Sequence, residues 1–390
     1  MKLEKWTLGL AAVGAISFPT VAEEPVLHPV QSTVQSTTIS GYVNTSASLM
    51  LGPGGSTVYG RSFDGPTKQN GFNLDVVSLA LEKGLDEGQW SAGYRVQMWL
   101  GPDANTLGSR STDSTATGDF ALKNAYVALR APVGTGLDFK IGTFDTVVGY
   151  EVADAGVNPN YSRSLGFFIE PIVHTGALAS YRVSEVLSFS GGVATRGDVN
   201  NINARSGTRG VWSYLGSMAL TAPESTGFLE GATLYAGVVD SGISGATGKG
   251  YTADPLNLYA GLTIPTPLTG VTLGAAWDYR VSGLFEDSYE SAIAGYVSWQ
   301  ASEKAKLSGR ADYGYGSHGT FGLPTFDSNG NTAESVKVFG VTGTFDYSLF
   351  ANAITRFEFR WDHMANGQEV LNDGGMKNAM SVALNVIYAF

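Results

Sequence analysis

The feature that most restricts this chain is the length over which apolar and polar residues alternate. From Ala353 to Ala365, Thr355, Phe357, Phe359 and Trp361 fall on one parity and Arg356, Glu358, Arg360 and Asp362 on the other. The last segment sets Met380, Val382, Leu384, Val386, Tyr388 and Phe390 against Ser381, Ala383, Asn385 and Ala389. A period of two belongs to a strand with two unlike faces. Beyond residue 36 no apolar run approaches the roughly 18 residues that mark a membrane-crossing helix, so the chain builds sheet. Two architectures accept such strands. In a soluble sandwich the Arg-x-Glu-x-Arg-x-Asp face meets solvent and the rings form the core. In a membrane barrel the rings meet lipid and the charges line water.

Counting separates the two. Alternating segments lie near 37–50, 71–83, 88–101, 118–131, 136–144, 173–183, 186–197, 208–222, 230–241, 251–265, 269–282, 288–301, 304–316, 334–348, 353–366 and 377–390, an even set of sixteen. Bacterial single-chain barrels have even strand numbers. Many of the segments are 12 to 15 residues long, well beyond the usual length of about 5 or 6 in soluble sheets. Connections are short at 85–87, 133–135, 184–185, 223–229, 266–268, 302–303 and 348–352, and longer at 51–70, 102–117, 145–172, 198–207, 242–250, 317–333 and 367–376, the brief one at 283–287 being the exception. Alternation of short and long is what periplasmic turns and external loops produce, and a sandwich has no reason to keep it. The expected fold is all-β: a transmembrane antiparallel β-barrel of about sixteen strands over residues 37–390, with a long third external loop and both chain ends on the periplasmic side.

The N-terminus supplies the compartment. Lys2 and Lys5 precede an apolar stretch from Trp6 to Phe18, and Pro19-Thr20-Val21-Ala22 offers small residues before a cut after Ala22. This is the layout of a signal peptide over 1–22, and its apolar stretch falls short of the roughly 20 residues that an anchor needs. Residues 23–36, with two prolines and no period, read as a flexible leader. The exported remainder is expected in the bacterial outer membrane.

Composition removes other classes. A formal charge of -11 opposes phosphate neutralisation, so no nucleic-acid partner is expected. The absence of cysteine excludes disulfides, thiolate metal sites and a cysteine nucleophile. The 51 glycines follow no G-x-y period. His28, His174, His318 and His363 show no spacing of a nucleophile and base, so no catalytic residue is assigned. Asp327 to Asn331 carries oxygen ligands without the spacing of a calcium loop and reads as a turn, and Arg196-Gly197-Asp198 reads as a chance tripeptide. No metal and no cofactor is expected.

Rings recur near segment ends on the face read as outward: Trp90 and Tyr94, Trp277 and Tyr279, Tyr289 and Trp299, Tyr313 and Tyr315, Phe345 and Tyr347, Tyr388 and Phe390. Interfacial girdles would place them so; for any single ring, an ordinary core position is the alternative. On the opposite parity fall Arg95, Lys140, Arg182, Arg196, Arg280, Lys306, Arg310, Arg356 and Arg360, with Asp138, Asp278, Glu290, Asp312, Glu358 and Asp362. The cations are read as the wall of a pore; the plainer reading of each is a pair that satisfies its neighbour. Parity further predicts that Phe359→Arg impairs folding into lipid, while Arg360→Ser folds and alters only conductance.

The strings TTISGYVNTSASLMLG (37–52), RSFDGPTKQNGFNLDVVSLALEKGLDEGQWSAGYRVQMWLGPDAN (61–105), FALKNAYVALRAPVGTGLDFKIGTFDTVVGYEV (120–152) and NPNYSRSLGF (158–167) resemble the OmpL-like family of β-barrel porins. The likeness is dense up to about residue 180; afterwards spacing and the terminal ring carry it. It implies an outer-membrane channel for passive diffusion of small hydrophilic solutes and ions, with no catalytic residues to carry across. The alternative is a non-conducting structural or surface-binding barrel, whose lumen would be filled. The connection 145–172 holds the position of the loop that folds into the channel of general sixteen-stranded porins, and Val147, Val148, Tyr150, Val152, Leu165, Phe167, Phe168 and Ile169 suit packing on a wall. Asp145, Glu151, Asp154, Arg163 and Glu170 are then expected at a constriction; an external flap is the other reading. Expected partners are outer-membrane lipid, the barrel assembly machinery reading Phe390, the permeating solutes and further copies in a homotrimer.

Overall fold

The computed structural model describes residues 37–52, 60–64, 68, 70–87, 90–109, 118–197, 200–204, 212–242, 255–282, 288–323, 335–369, 371 and 376–390. The expected signal peptide and leader (1–36), the tripeptide's Asp198 and the turn at 327–331 lie outside the described residues. Sixteen strands follow in order: β1 Thr38–Leu51, β2 Gly71–Lys83, β3 Ser91–Leu100, β4 Phe120–Ala131, β5 Leu137–Asp145, β6 Val173–Arg182, β7 Leu187–Ala194, β8 Ser213–Thr221, β9 Thr233–Asp240, β10 Leu256–Pro265, β11 Val271–Val281, β12 Tyr289–Gln300, β13 Ala305–Gly316, β14 Val336–Phe350, β15 Ala353–Met364 and β16 Asn378–Ala389. Each pairs antiparallel with its sequence neighbours, and β1 pairs with β16 to close the barrel. Two short helices, α1 Pro102–Leu107 and α2 Leu165–Ile169, lie in long loops. A lipid-embedded sheet tolerates no free edge, and closure removes it.

The seam is tight at the short-turn rim, where Gly41 and Phe390 exchange both backbone hydrogen bonds, 2.8 and 2.9 Å. Outward positions are apolar and bare: Leu49, Phe72, Ile141, Phe357, Phe359 and Leu384 are all exposed. On β15 the interleaved Arg356, Glu358, Arg360 and Asp362 are buried in the lumen. Around the long-loop rim a ladder of rings runs across β11 to β13, Trp277 to Tyr279 to Tyr289 to Tyr315 to Tyr313, with centroid separations of 6.2, 6.1, 6.3 and 5.9 Å. Trp361 continues it on β15, edge-on to Phe339 of β14 at 6.1 Å.

Among the described residues the strand register shifts at three places, one of them at the β14–β15 turn, and the other two matter for the lumen. The β1–β2 register passes from Asn44 opposite Val76 to Thr45 opposite Leu74, so Asp75 is an extra residue. The β3–β4 register passes from Gln97 opposite Asn124 to Met98 opposite Leu122, so Lys123 is another. A bulge lets two successive side chains share a face. Asp75 with Val76, and Lys123 with Asn124, are accordingly all buried.

Phe359→Arg on the lipid face, at an exposed midstrand position, is expected to cost about 2–4 kcal/mol of folding into lipid and to depress the heat-modifiable folded fraction in bilayer vesicles. An unchanged folded fraction would mean that this face does not meet hydrocarbon.

Candidate functional site

A ring of sixteen strands is too wide for its own side chains to fill. Here the third long loop, residues 146–172 between β5 and β6, enters the lumen and crosses it. Little of this segment is regular, so its backbone N–H and C=O groups need partners inside the barrel. Arginines of the wall take the carbonyls. Arg310 donates to Ser162 O at 2.7 Å and Arg163 O at 3.1 Å. Arg356 donates to Ala155 O at 2.9 Å and Asn158 O at 2.8 Å, and Arg360 to Arg163 O at 2.6 Å. Carboxylates of the same wall take the amides. Glu358 accepts from Tyr161 N at 2.6 Å and Ser162 N at 3.0 Å, and Asp312 accepts from Leu165 N at 2.8 Å. Cations and anions alternate along β13–β15 in a pattern that mirrors the carbonyls and amides of the loop.

On the opposite side the loop rests on an apolar cluster. Val147 and Val148 of the loop pack with Leu178, Leu215, Tyr235, Val239 and Tyr259, and Tyr150 stacks on Tyr296 at 4.2 Å. The first long loop adds a second anchor. Phe63, held at a positive φ of 64°, lies between Lys68 and the Arg163 guanidinium at 5.9 and 5.7 Å. Lys68 pairs with Asp103 and with the bulge residue Asp75, and Tyr161 donates to Asp75 at 3.2 Å.

Water reaches charge on the β2–β5 side. Asp145, at the end of β5, and Asp154, in the loop, have side chains 45% and 24% exposed, and Lys123 Nζ stands between them at 2.7 and 2.9 Å. Beside them Arg95 pairs with Glu82, 21% and 32% exposed, and Lys140 lies over the Tyr126 ring at 5.1 Å. Tyr42 and Gln97 donate to Asp154 at 3.0 and 2.8 Å, and Asn124 donates to Asp145 at 3.3 Å. Burial alone would raise the Asp154 carboxyl, but the charge and hydrogen bond of Lys123, then Arg95 and Tyr42, hold it below the usual carboxylate range. The crescent between loop and wall therefore carries three cations and three anions, with Asp154 ionised.

The structure thus brings Asp145 and Asp154 together with Arg95 and Lys140, and it revises six other sequence-predicted positions. Glu151 pairs with Arg310 at 2.8 Å with both side chains fully buried. Arg163 turns back on its own loop, donating to Val152 O, Tyr161 O and Ala153 O. Glu170 shares a hydrogen bond with Asp278. Arg310, Arg356 and Arg360 hold the loop instead of lining open water. Burial of the loop is the common reason, and Arg360→Ser would strip partners from Arg163 O and Asp362. Elsewhere, Arg182 is exposed at the short-turn rim, Arg196 lies just past β7, Arg280 faces Glu290 across β11–β12, and Lys306 faces Asp346 across β13–β14. Lys123, Asp75, Tyr42 and Tyr161 were not expected at all. For Lys123 and Asp75 a trace was readable: each stands on the lipid parity of its strand, where a charge is out of place.

The far end of the loop is held differently. Gly149 and Gly166 leave room for the Glu170 and Asp278 carboxyls, which a Cβ at either would overlap, and the nearest further charge is another acid, Glu151. Burial, then Asp278, push the Glu170 carboxyl well above the usual carboxylate range. Its anchorage is therefore complete below the ordinary range of an unfolded carboxyl and is lost as pH rises through the raised value. No group of three or more potential metal-ligating side chains occurs among the described residues.

A sequence model of the family described as "Putative beta-barrel porin-2, OmpL-like" matches residues 36–390. Solved structures with the same architecture include an anion-selective porin from Comamonas acidovorans (TM-score 0.58, 12% identity, covering 91% of this chain and 99% of that one). OmpF of Salmonella typhi, in complex with daunomycin, matches at a TM-score of 0.58 and 13% identity, covering 91% of this chain and 97% of the other. OmpT of Vibrio cholerae in its trimer form matches at 0.51 and 12%, covering 91% and 99%. At such identities the likeness is one of fold. No curated protein sequence matches the chain.

Glu170→Gln keeps a neutral hydrogen-bonding group at the pair and removes its ionisation. The variant is expected to flatten the loss of thermal stability that the native barrel shows from the ordinary carboxylate range upward. Parallel melting curves of the two proteins over that range would contradict the assignment.

Proposed function

The chain belongs to the OmpL-like β-barrel porin family and is an outer-membrane channel for solute diffusion, and from that premise we propose that ions and small hydrophilic solutes pass beside the inserted loop, along the crescent bounded by β2–β5 and Asp154. One observation carries this reading. The charged groups of the crescent keep contact with water at Asp145, Asp154, Glu82 and Arg95, whereas Arg310, Arg356, Arg360 and Glu151 around the rest of the loop are sealed. Opposed carboxylates and cations across a narrow passage set up a transverse field that acts on ions and leaves neutral solutes to diffuse. No residue is given a catalytic role. Residues 1–22 serve in the same reading as a cleaved export signal, 23–36 as a leader, and Phe390, paired across the seam, as the terminal ring presented to the assembly machinery.

The homotrimer belongs here too. Among the described outward positions at the long-loop rim, tryptophan and tyrosine are concentrated on β11–β15, with Trp212 and Tyr214 apart at β8. The same rim of β16 and β1–β5 presents Met380, Leu49, Phe72, Leu74, Leu100, Phe120 and Ile141. An apolar face without Trp or Tyr suits a protein neighbour better than the headgroup interface, where those rings are favoured. OmpT of Vibrio cholerae, described in a trimer form, supports this reading. Light scattering of the detergent-extracted protein is expected to give the mass of three copies; a single-copy mass would remove this part of the reading.

Neutralising the crescent's exposed acids, with Asp145→Asn and Asp154→Asn together, is expected to move the reversal potential in a salt gradient towards anions. Glu224→Gln with Glu230→Gln, in the exposed turn beyond β8, serves as the comparison. Those charges stand in bulk water, where screening acts within about 8 Å at physiological salt, and the shift should be smaller. Equal shifts for the two pairs would sink the assignment, and the absence of any stepwise conductance from the folded native barrel would favour the non-conducting alternative.

A further inference from the structure

Lys123 is the one cation of the crescent that no solute can reach. Its side chain is 2% exposed, and its ammonium is shared between Asp145 of the wall and Asp154 of the loop. It arrives there by a local device. The β4 bulge inserts Lys123 opposite no residue of β3, so that it and Asn124 both turn into the lumen, where Asn124 serves Asp145 as well. Bulges commonly re-aim a side chain at a functional position.

We propose that Lys123 is the residue that sets both the charge selectivity of the passage and the position of the loop's edge, acting from behind the two carboxylates that solutes meet. The proposal rests on the passage assigned above. Two consequences follow from the geometry. Electrostatically, a buried cation between two carboxylates is screened by salt far less than an exposed one, so it cancels much of the attraction that Asp145 and Asp154 would exert on cations. Sterically, it ties a strand end to a loop residue. Asp154 also accepts from Tyr42 and Gln97, so this edge of the loop is pinned to β1, β3 and β4 at once. Loss of the ammonium leaves two carboxylates facing each other, which repel and widen the passage as they turn it cation-selective.

The test uses full-length protein in planar bilayers under a salt gradient, with four variants. Lys123→Met is expected to raise cation over anion permeability several-fold and to increase conductance, and Lys123→Arg, which keeps the charge and the two partners, to stay near the native values. Asp145→Asn alone should shift selectivity towards anions, and Lys123→Met with Asp145→Asn, which removes one charge of each sign, should return it towards the native reversal potential. A merely structural lysine would lower thermal stability in Lys123→Met and leave the reversal potential of the folded fraction unmoved, and that result overturns the proposal. If Lys123→Met does not fold, the comparison of Asp145→Asn with the double variant decides: identical reversal potentials overturn the proposal, and a return towards the native value supports it. Should Asp145→Asn itself shift nothing, the assigned passage is at fault and not the role of Lys123 within it.

Discussion

A peptide group taken out of water must find another hydrogen-bond partner, and this barrel meets that demand twice with different means. In the wall, strand meets strand around a closed ring and no edge is left to the hydrocarbon. In the lumen, an irregular segment has no such ladder, and side chains stand in for it: Arg310, Arg356 and Arg360 occupy the carbonyls, Glu358 and Asp312 the amides. The charged parity of β13–β15 is thus a surface fitted to a backbone. Removing one member would leave both a loop peptide group and a counter-charge without partners, and a buried charge so stranded is costly.

The lumen is divided by this arrangement. One side grips the loop by charge, another packs it with Val147, Val148 and Tyr150 against wall rings and aliphatics, and the β2–β5 side is polar and wetted. A cross-section of this kind is far smaller than the ring of strands suggests. On the proposed path a solute meets a few groups on four strands and one edge of a loop, with the remaining wall serving as a mount.

Most of the wall could be read from the sequence because a strand's two faces differ in every second residue, and the same rule gave the orientation of Arg356, Glu358, Arg360 and Asp362. What those residues touch could not be read so. The contacts of Arg310 with Ser162 and of Glu358 with Tyr161 join positions 148 and 197 residues apart, and nothing in the alternation of a strand encodes its distant neighbour. Period-two reading also assumes that pairing never slips. At Asp75 and Lys123 it does, by one residue each, and the two charges move from the face of lipid to the face of water. Asp145 and Asp154 are legible because one borders and the other lies within a loop that its length and apolar content mark out, whereas Glu151, Arg163 and Glu170 of the same loop cannot be told from them without knowing which way each side chain turns.

The order of the chain adds a constraint in time. The inserted segment ends at residue 172, while the strands that grip it, β13 to β15, begin at Ala305 and end at Met364. Contacts across so long a stretch of chain are the slow ones to form. Until then the loop's unpaired peptide groups must be served by water, and a ring still open at β1 and β16 lets that water in. A ring of this width sealed with its loop outside would be a wide leak across the membrane, so the grip of β13 to β15 on the loop also bears on how much the finished wall lets through.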